Sequence, residues 1–284
     1  MNIKLESVFW VIGFTKLQSN GNDFILIDEY HEVVVPEERK GDFAARYCDR
    51  RFGVGGDGVL FLGRDDAADL EMRLFQPDRS EAEMCGNGIS CLAKYAVERG
   101  YVPIGSATIK TRAGVLSLKT EMEDEELFVE VNMGRPRYDR GEIPAAGNGR
   151  FLNQRLHGCN VSAVNTGVPH AVIFTDKLEE APVTELSPRI RYDPVFPMGA
   201  NVNFVRVHTP HEISIRTYER GVEDETLSCG TGSVASAAIA HILKKTSNEV
   251  RVHTRGGDVR VRFDGQGNAY MKTCPKMVFR GEIP

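Results

Sequence analysis

The sequence predicts a mixed α/β chain folded as two copies of one domain. Three blocks recur in the same order at nearly one spacing. Cys85 opens a Cys-Gly-Asn-Gly corner, and 144 positions later Cys229 opens Cys-Gly-Thr-Gly. Thr111-Arg112-Ala113-Gly114 returns 143 positions on as Thr254-Arg255-Gly256-Gly257. The segment from Gly21, GNDFILID, has its counterpart 146 positions on, in GVPHAVIFTD from Gly167. A period this long is not a solenoid repeat; it describes a duplicated domain.

Each half follows one plan: strands, a Cys-Gly-x-Gly corner, a helix, then more strands. After the first corner Ile89, Leu92, Ala93, Ala96 and Val97 recur at helical spacing, and Gly100 stops the run. After the second, Val234, Ala235, Ala238, Ile239 and Ile242 do the same, and Lys244 and Lys245 suit the negative end of the helix dipole. The small side chains of this second helix predict that sheet encloses it. Segments 128–133 and 259–263 alternate as strands do. The acidic run 121–126 reads as a solvated hairpin loop. Segment 8–14 (VFWVIGF) reads as a first strand, or as the product of a start codon placed too early, and not as a secretion signal, because Glu6 weakens its n-region and no A-x-A site follows. GVGGDG at 53–58 satisfies G-x-G-x-x-G, but a dinucleotide site needs a strand before it and a helix after it. Here 44–51 reads as helix and 59–62 as strand, so the motif is a turn.

Composition narrows the function. The chain has 284 residues, 41% hydrophobic and 26% charged, with a net charge of −5. That is the balance of a soluble globular protein, long enough for two domains with a core each. It lacks the basic footprint of a nucleic-acid binder, and no apolar run approaches the roughly 18 residues of a membrane span. Six cysteines stand at 48, 85, 91, 159, 229 and 274, none at C-x-x-C spacing. This argues against a zinc or thioredoxin-like site and for individual thiols in a reducing cytosol. The chain shows no metal constellation and no lysine in a pyridoxal-phosphate context, so no cofactor is expected.

Two cysteines at two helix starts suggest a specific chemistry. The unpaired N–H groups and positive dipole end there lower a thiol pKa, and the glycines that follow let backbone donors approach a carboxylate closely. Two such corners facing each other would place one thiol on each face of a small acid. One thiolate then removes an α-proton and the opposite thiol returns one to the other face. A lone cysteine is most often a buried structural thiol; two in a repeated corner are not explained that way. A thiolate and a thiol required together predict a bell-shaped pH–rate profile.

At these residues the sequence resembles the diaminopimelate epimerase family. The matching blocks are GNDFILID, RRFGVGGDGVLFL, SEAEMCGNG, VNTGVPHAVIF, NVNFV and YERGVEDETLSCGTG, running from about Phe14 to the C-terminal VFRGEI. The resemblance implies an α/β (α+β) fold of two pseudo-twofold-related domains, each a mainly antiparallel, barrel-like sheet around a central helix. The domains would be 1–130 with 275–284, and 131–274. It implies a cofactor-independent homodimer in the cytoplasm acting on diaminopimelate, with Cys85 and Cys229 as the acid/base pair. Asn22, Gln76, Gly86, Asn87, Asn201, Glu219, Arg220, Gly230 and Thr231 would bind substrate, and His170 would support the thiols. Otherwise His170 caps a strand and Glu219–Arg220 is a surface ion pair. The chain departs from the family pattern at Gln76, at Arg79 where Gly is usual, at Ser90, at Val168 and at Glu223-Asp224. Two rival readings follow: a racemase of the same scaffold with a different substrate, and a redox protein whose cysteines pair as a switch.

Overall fold

The computed structural model describes residues 11–284. The first half runs β1 (Ile12–Ser19), β2 (Asn22–Asp28), α1 (Lys40–Tyr47), β3 (Gly58–Gly63), β4 (Leu70–Phe75), β5 (Glu81–Ala82), α2 (Gly86–Glu98), β6 (Ser106–Thr111), β7 (Gly114–Glu123) and β8 (Glu126–Gly134). The second runs β9 (Gln154–Leu156), β10 (Cys159–Asn165), β11 (Pro169–Phe174), α3 (Val183–Arg191), β12 (Asn201–Thr209), β13 (Glu212–Glu219), β14 (Asp224–Thr226), α4 (Gly230–Ile242), β15 (Glu249–Thr254), β16 (Gly257–Phe263) and β17 (Ala269–Thr273). A last strand, β18 (Lys276–Ile283), follows.

Strand pairing states the duplication in hydrogen bonds. From one edge the main path is β18-β1-β2-β3-β4-β6-β7-β8, and from the other it is β9-β10-β11-β12-β13-β15-β16-β17. The paths meet where β8 pairs antiparallel with β17. Pairs β2–β3 and β4–β6 are parallel, and so are their counterparts β11–β12 and β13–β15; the other pairs are antiparallel. The final strand β18 pairs with β1, as β9 pairs with β10 in the other half. Each path curls round one apolar helix. Ile89, Leu92 and Ala96 of α2 are sealed against Leu26, Leu60, Leu70 and Val131, and Val234, Ala238 and Ile239 of α4 against Val164, Val205, Val252 and Val261. Helices α1 and α3 pack on separate outer cores.

The predicted helices stand where their periodicity put them, and Gly100 (φ 74°) follows the end of α2 in the left-handed region. The predicted strands lie within β3, β8 and β16. Of the predicted first strand, 12–14 begins β1 and residues 8–10 lie outside the described residues. Two expectations need correction. The helix around 44–51 starts earlier and ends at Tyr47, and 48–57 forms turns. The acidic run is not a solvated loop: β7 extends to Glu123, only Asp124-Glu125 turn (φ 47° and 66°), and β8 begins at Glu126. Glu121 and Glu123 stay in the ladder because Lys272 neutralises both, with Arg260 on Glu123 at 2.7 Å.

Candidate active site

Both corners place their cysteine one residue before a helix, in extended backbone: Cys85 at φ −142°, ψ 119°, and Cys229 at φ −123°, ψ 114°. The first helical hydrogen bonds run from Ile89 N to Cys85 O and from Ser233 N to Cys229 O, both 2.9 Å. The N–H groups of 86–88 and 230–232 therefore precede the ladder. No cap side chain consumes them.

The two helix starts converge. A Cβ on Gly86 would lie 2.8 Å from Met271 Cε, and one on Gly230 would lie 2.9 Å from Met271 Sδ. One β17 side chain thus touches both corners, and Asn87 Oδ1 is 3.9 Å from the same point on Gly230. A Cβ at 86 or 230 would push the Met271 thioether aside; neither glycine lies in the left-handed region. Asn87 is buried, and its Oδ1 has no hydrogen-bond partner.

Each sulfur has its own surroundings. The Cys85 thiol donates to Asn22 Oδ1 at 3.6 Å, and Asn87 Nδ2 donates to the same oxygen at 3.3 Å. Asn22 is held by Asp57, which accepts its Nδ2 at 2.6 Å and is itself paired with Arg50 at 2.8 Å. The 53–58 turn thus delivers a carboxylate to the site. On the other side Cys229 Sγ lies 3.4 Å from Thr231 Oγ1, which lies 2.9 Å from His170 Nε2. Glu219 accepts from Thr226 Oγ1, and its charge bears on the Cys229 thiol. His170 is fully buried within β11, so it caps nothing. Burial pushes its pKa down to about 3, aided by the Arg220 charge, so the ring is neutral at physiological pH.

The expected lowering of the thiol pKa values does not hold in the enclosed site. Burial pushes Cys85 up to about 11 and Cys229 well above its ordinary value, where Glu219 adds its charge. The N–H groups of Asn87 and Gly88 pull Cys85 down, and Thr231 and the Gly232 N–H pull Cys229 down, but by less. Burial raises Glu219 as well.

Most of the predicted residues fall into this cluster: Asn22, Cys85, Gly86, Asn87, His170, Asn201, Glu219, Arg220, Cys229, Gly230 and Thr231. Glu219 and Arg220 form no ion pair with each other. Arg220 N donates to Asn201 Oδ1 at 2.7 Å and Arg220 Nη1 to Met198 O at 2.9 Å. Gln76 stands apart. It is exposed on the turn after β4, its Oε1 accepts from Ser80 at 2.9 Å, and no hydrogen bond joins it to Cys85. Asp57, Thr226, Asn203 and Met271 were not foreseen as neighbours. Asp57, Asn203 and Thr226 lay in blocks that carry the family resemblance but were given no role, and Met271 in a strand with no site signal.

The family model described as diaminopimelate epimerase matches residues 14–138 and 162–278. The chain belongs to the diaminopimelate epimerase family. It is 52% identical over 273 residues to the diaminopimelate epimerase of Methanocella arvoryzae and 53% identical over 272 to that of Methanothrix thermoacetophila, covering 96% of both chains in each case. The enzyme of that name from Archaeoglobus fulgidus is 46% identical over 272 residues, at 95% of both chains. Among solved structures, a PhzF-family phenazine biosynthesis protein of Bacillus anthracis superposes with a TM-score of 0.72 at 18% identity, over 96% of this chain and 99% of that one. A probable proline racemase of Agrobacterium radiobacter gives 0.66 at 16%, over 96% and 93%. At these identities they show the shared two-domain α/β fold of the epimerase family and nothing finer. Among the described residues no helix is long and apolar enough to cross a membrane.

Proposed function

We propose that the chain is an isomerase of the two-base, cofactor-independent kind, converting LL-2,6-diaminopimelate to the meso isomer in lysine biosynthesis. One observation carries this reading: two cysteine-opened helices converge end to end, with a thiol and N–H groups ahead of the helical ladder at each tip. The α-carboxylate would sit on the N–H groups of 86–88 and 230–232. The α-ammonium would donate to the orphaned Asn87 Oδ1. One thiolate takes the α-proton and becomes a thiol, and the carbanion's charge spreads onto the held carboxylate. The opposite thiol then gives its proton to the other face and becomes the thiolate. Asn201 and Arg220 would hold the distal amino-acid end, and this second charged end favours diaminopimelate over the substrate of a simple racemase. Gln76 needs a rotation away from Ser80 to take part.

The same reading assigns 1–130 with 275–284 to the Cys85 domain and 131–274 to the Cys229 domain, a division that crosses β8 at the seam. Two thiols that must stay reduced suit the cytoplasm. A homodimer would cover Val278 and Phe279 of β18, which are 57% and 46% exposed.

Replacing either Cys85 or Cys229 with Ala should abolish inversion and leave the unfolding midpoint nearly unchanged. Ser in place of Cys48, Cys91, Cys159 or Cys274 should leave turnover largely intact. Normal turnover in either Ala variant refutes the assignment of the pair.

A further inference from the structure

Asn203, on β12, is fully buried under the first turn of α4, and a Cβ on Gly232 would come within 2.6 Å of its Oδ1. Its amide can point only one way. Nδ2 donates to the Ala171 carbonyl at 3.2 Å, an acceptor that cannot donate, and Oδ1 accepts from Thr217 Oγ1 at 3.0 Å. The second hydrogen on Nδ2 then faces His170 Nδ1 at 3.0 Å. That nitrogen must be the bare one, so the neutral ring carries its proton on Nε2. Nε2 donates to Thr231 Oγ1 at 2.9 Å, which leaves the threonine hydroxyl hydrogen free for Cys229 Sγ at 3.4 Å. Asn201 Nδ2, 3.4 Å from Nε2, is the weaker competitor and faces a nitrogen that already holds a proton.

We propose that Asn203 is a positioning residue that acts through His170 and Thr231. By fixing the ring as the Nε2–H tautomer, it turns the Thr231 hydroxyl into a donor to the Cys229 sulfur. The inference rests on the two-cysteine reading above and gives the Cys229 thiolate a donor of its own in Thr231, set against the Glu219 charge that favours the thiol. Such a donor favours the thiolate whenever Cys229 acts as base.

The test does not use turnover, so its failure is separable from failure of the epimerase reading. Nitrogen-15 NMR of histidine-labelled, unliganded protein reads the His170 tautomer directly. The expected result is a protonated Nε2 and a bare Nδ1 at neutral pH; a protonated Nδ1 overturns the proposal. Asn203→Asp replaces the donor with an acceptor. Read at alkaline pH, where the ring beside the carboxylate is neutral, the proton should move to Nδ1 and Thr231 should then donate to Nε2. Cys229 alkylation by iodoacetamide, followed by peptide mass mapping, should slow about tenfold, as for loss of one charge-assisted hydrogen bond, while Cys85 alkylation holds. Should Asn203→Asp not fold, Thr231→Val must show the same slowing and Thr231→Ser must restore it. An unchanged Cys229 rate in Thr231→Val overturns the proposal.

Discussion

At the residue scale, the thiols show what sequence can and cannot reveal. Both cysteines were legible because each sits in a repeated corner of fixed composition. Their ionisation was not, because it depends on how deeply the fold buries each sulfur. A helix start lowers a thiol pKa by a modest amount, whereas enclosure between two domains removes the water that would solvate the thiolate. Asn203 was illegible for a related reason. It lies in the NVNFV block that carries the family resemblance, but only the fold brings it under α4. The sequence did flag Arg79, where glycine is usual, and φ there is 73°. The left-handed region costs a non-glycine residue about 1 kcal/mol, and the side chain gains only an ion pair with Asp42 in which both partners are largely exposed. Arg79→Gly should therefore raise stability, by up to about 1 kcal/mol. A loss of that size in a denaturant titration would show that the turn is held by the arginine instead.

At the scale of elements, the duplicated Thr-Arg-x-Gly block has a structural reason. The backbone N–H of Ala113 donates to Glu83 O at 3.1 Å, and that of Gly256 donates to Leu227 O at 2.8 Å. Each accepting carbonyl lies two residues before its cysteine. The arginines of the block complete matching ion clusters: Arg73 and Arg112 meet Glu81, and Arg216 and Arg255 meet Glu225. The cysteine corners are thus buttressed from behind by the strands that follow each helix, which is why the two blocks recur together. Glu225 is the more enclosed of the two carboxylates, with its side chain 9% exposed against 15% for Glu81. Glu225→Ala leaves Arg216 buried without its partner and should cost about 3 kcal/mol of unfolding free energy. A cost below about 1 kcal/mol would mean that the cluster is not holding the corner.

At the scale of the whole molecule, the duplication is symmetric in backbone and asymmetric in chemistry. The strand path reads alike from both ends and the helices open alike, features that the long-period repeat made legible. The side chains around the sulfurs differ. Cys85 faces the amides of Asn22 and Asn87, while Cys229 faces a hydroxyl, an imidazole relay and a carboxylate. No repeat could have disclosed this, since the asymmetry lies in the positions where the halves diverge. Enclosure sets the pH dependence. With Cys85 pushed up to about 11 in the unliganded site, its thiolate fraction grows as pH rises towards that value, so kcat/KM should climb from neutral into alkaline pH before the acid partner is lost. A kcat/KM that falls between neutral and mildly alkaline pH would contradict a base held up by burial.

The central claim is that the two thiols act on opposite faces of one α-carbon. Proton NMR in D₂O, with reductant and no added cofactor, tests it most directly, using LL-diaminopimelate beside a panel of ordinary L-amino acids. The account predicts loss of the α-proton signal and appearance of the meso isomer for diaminopimelate alone, with solvent deuterium at the inverted carbon. Inversion that retains the original proton would contradict the two-base mechanism, and exchange on other amino acids in place of diaminopimelate would contradict the substrate.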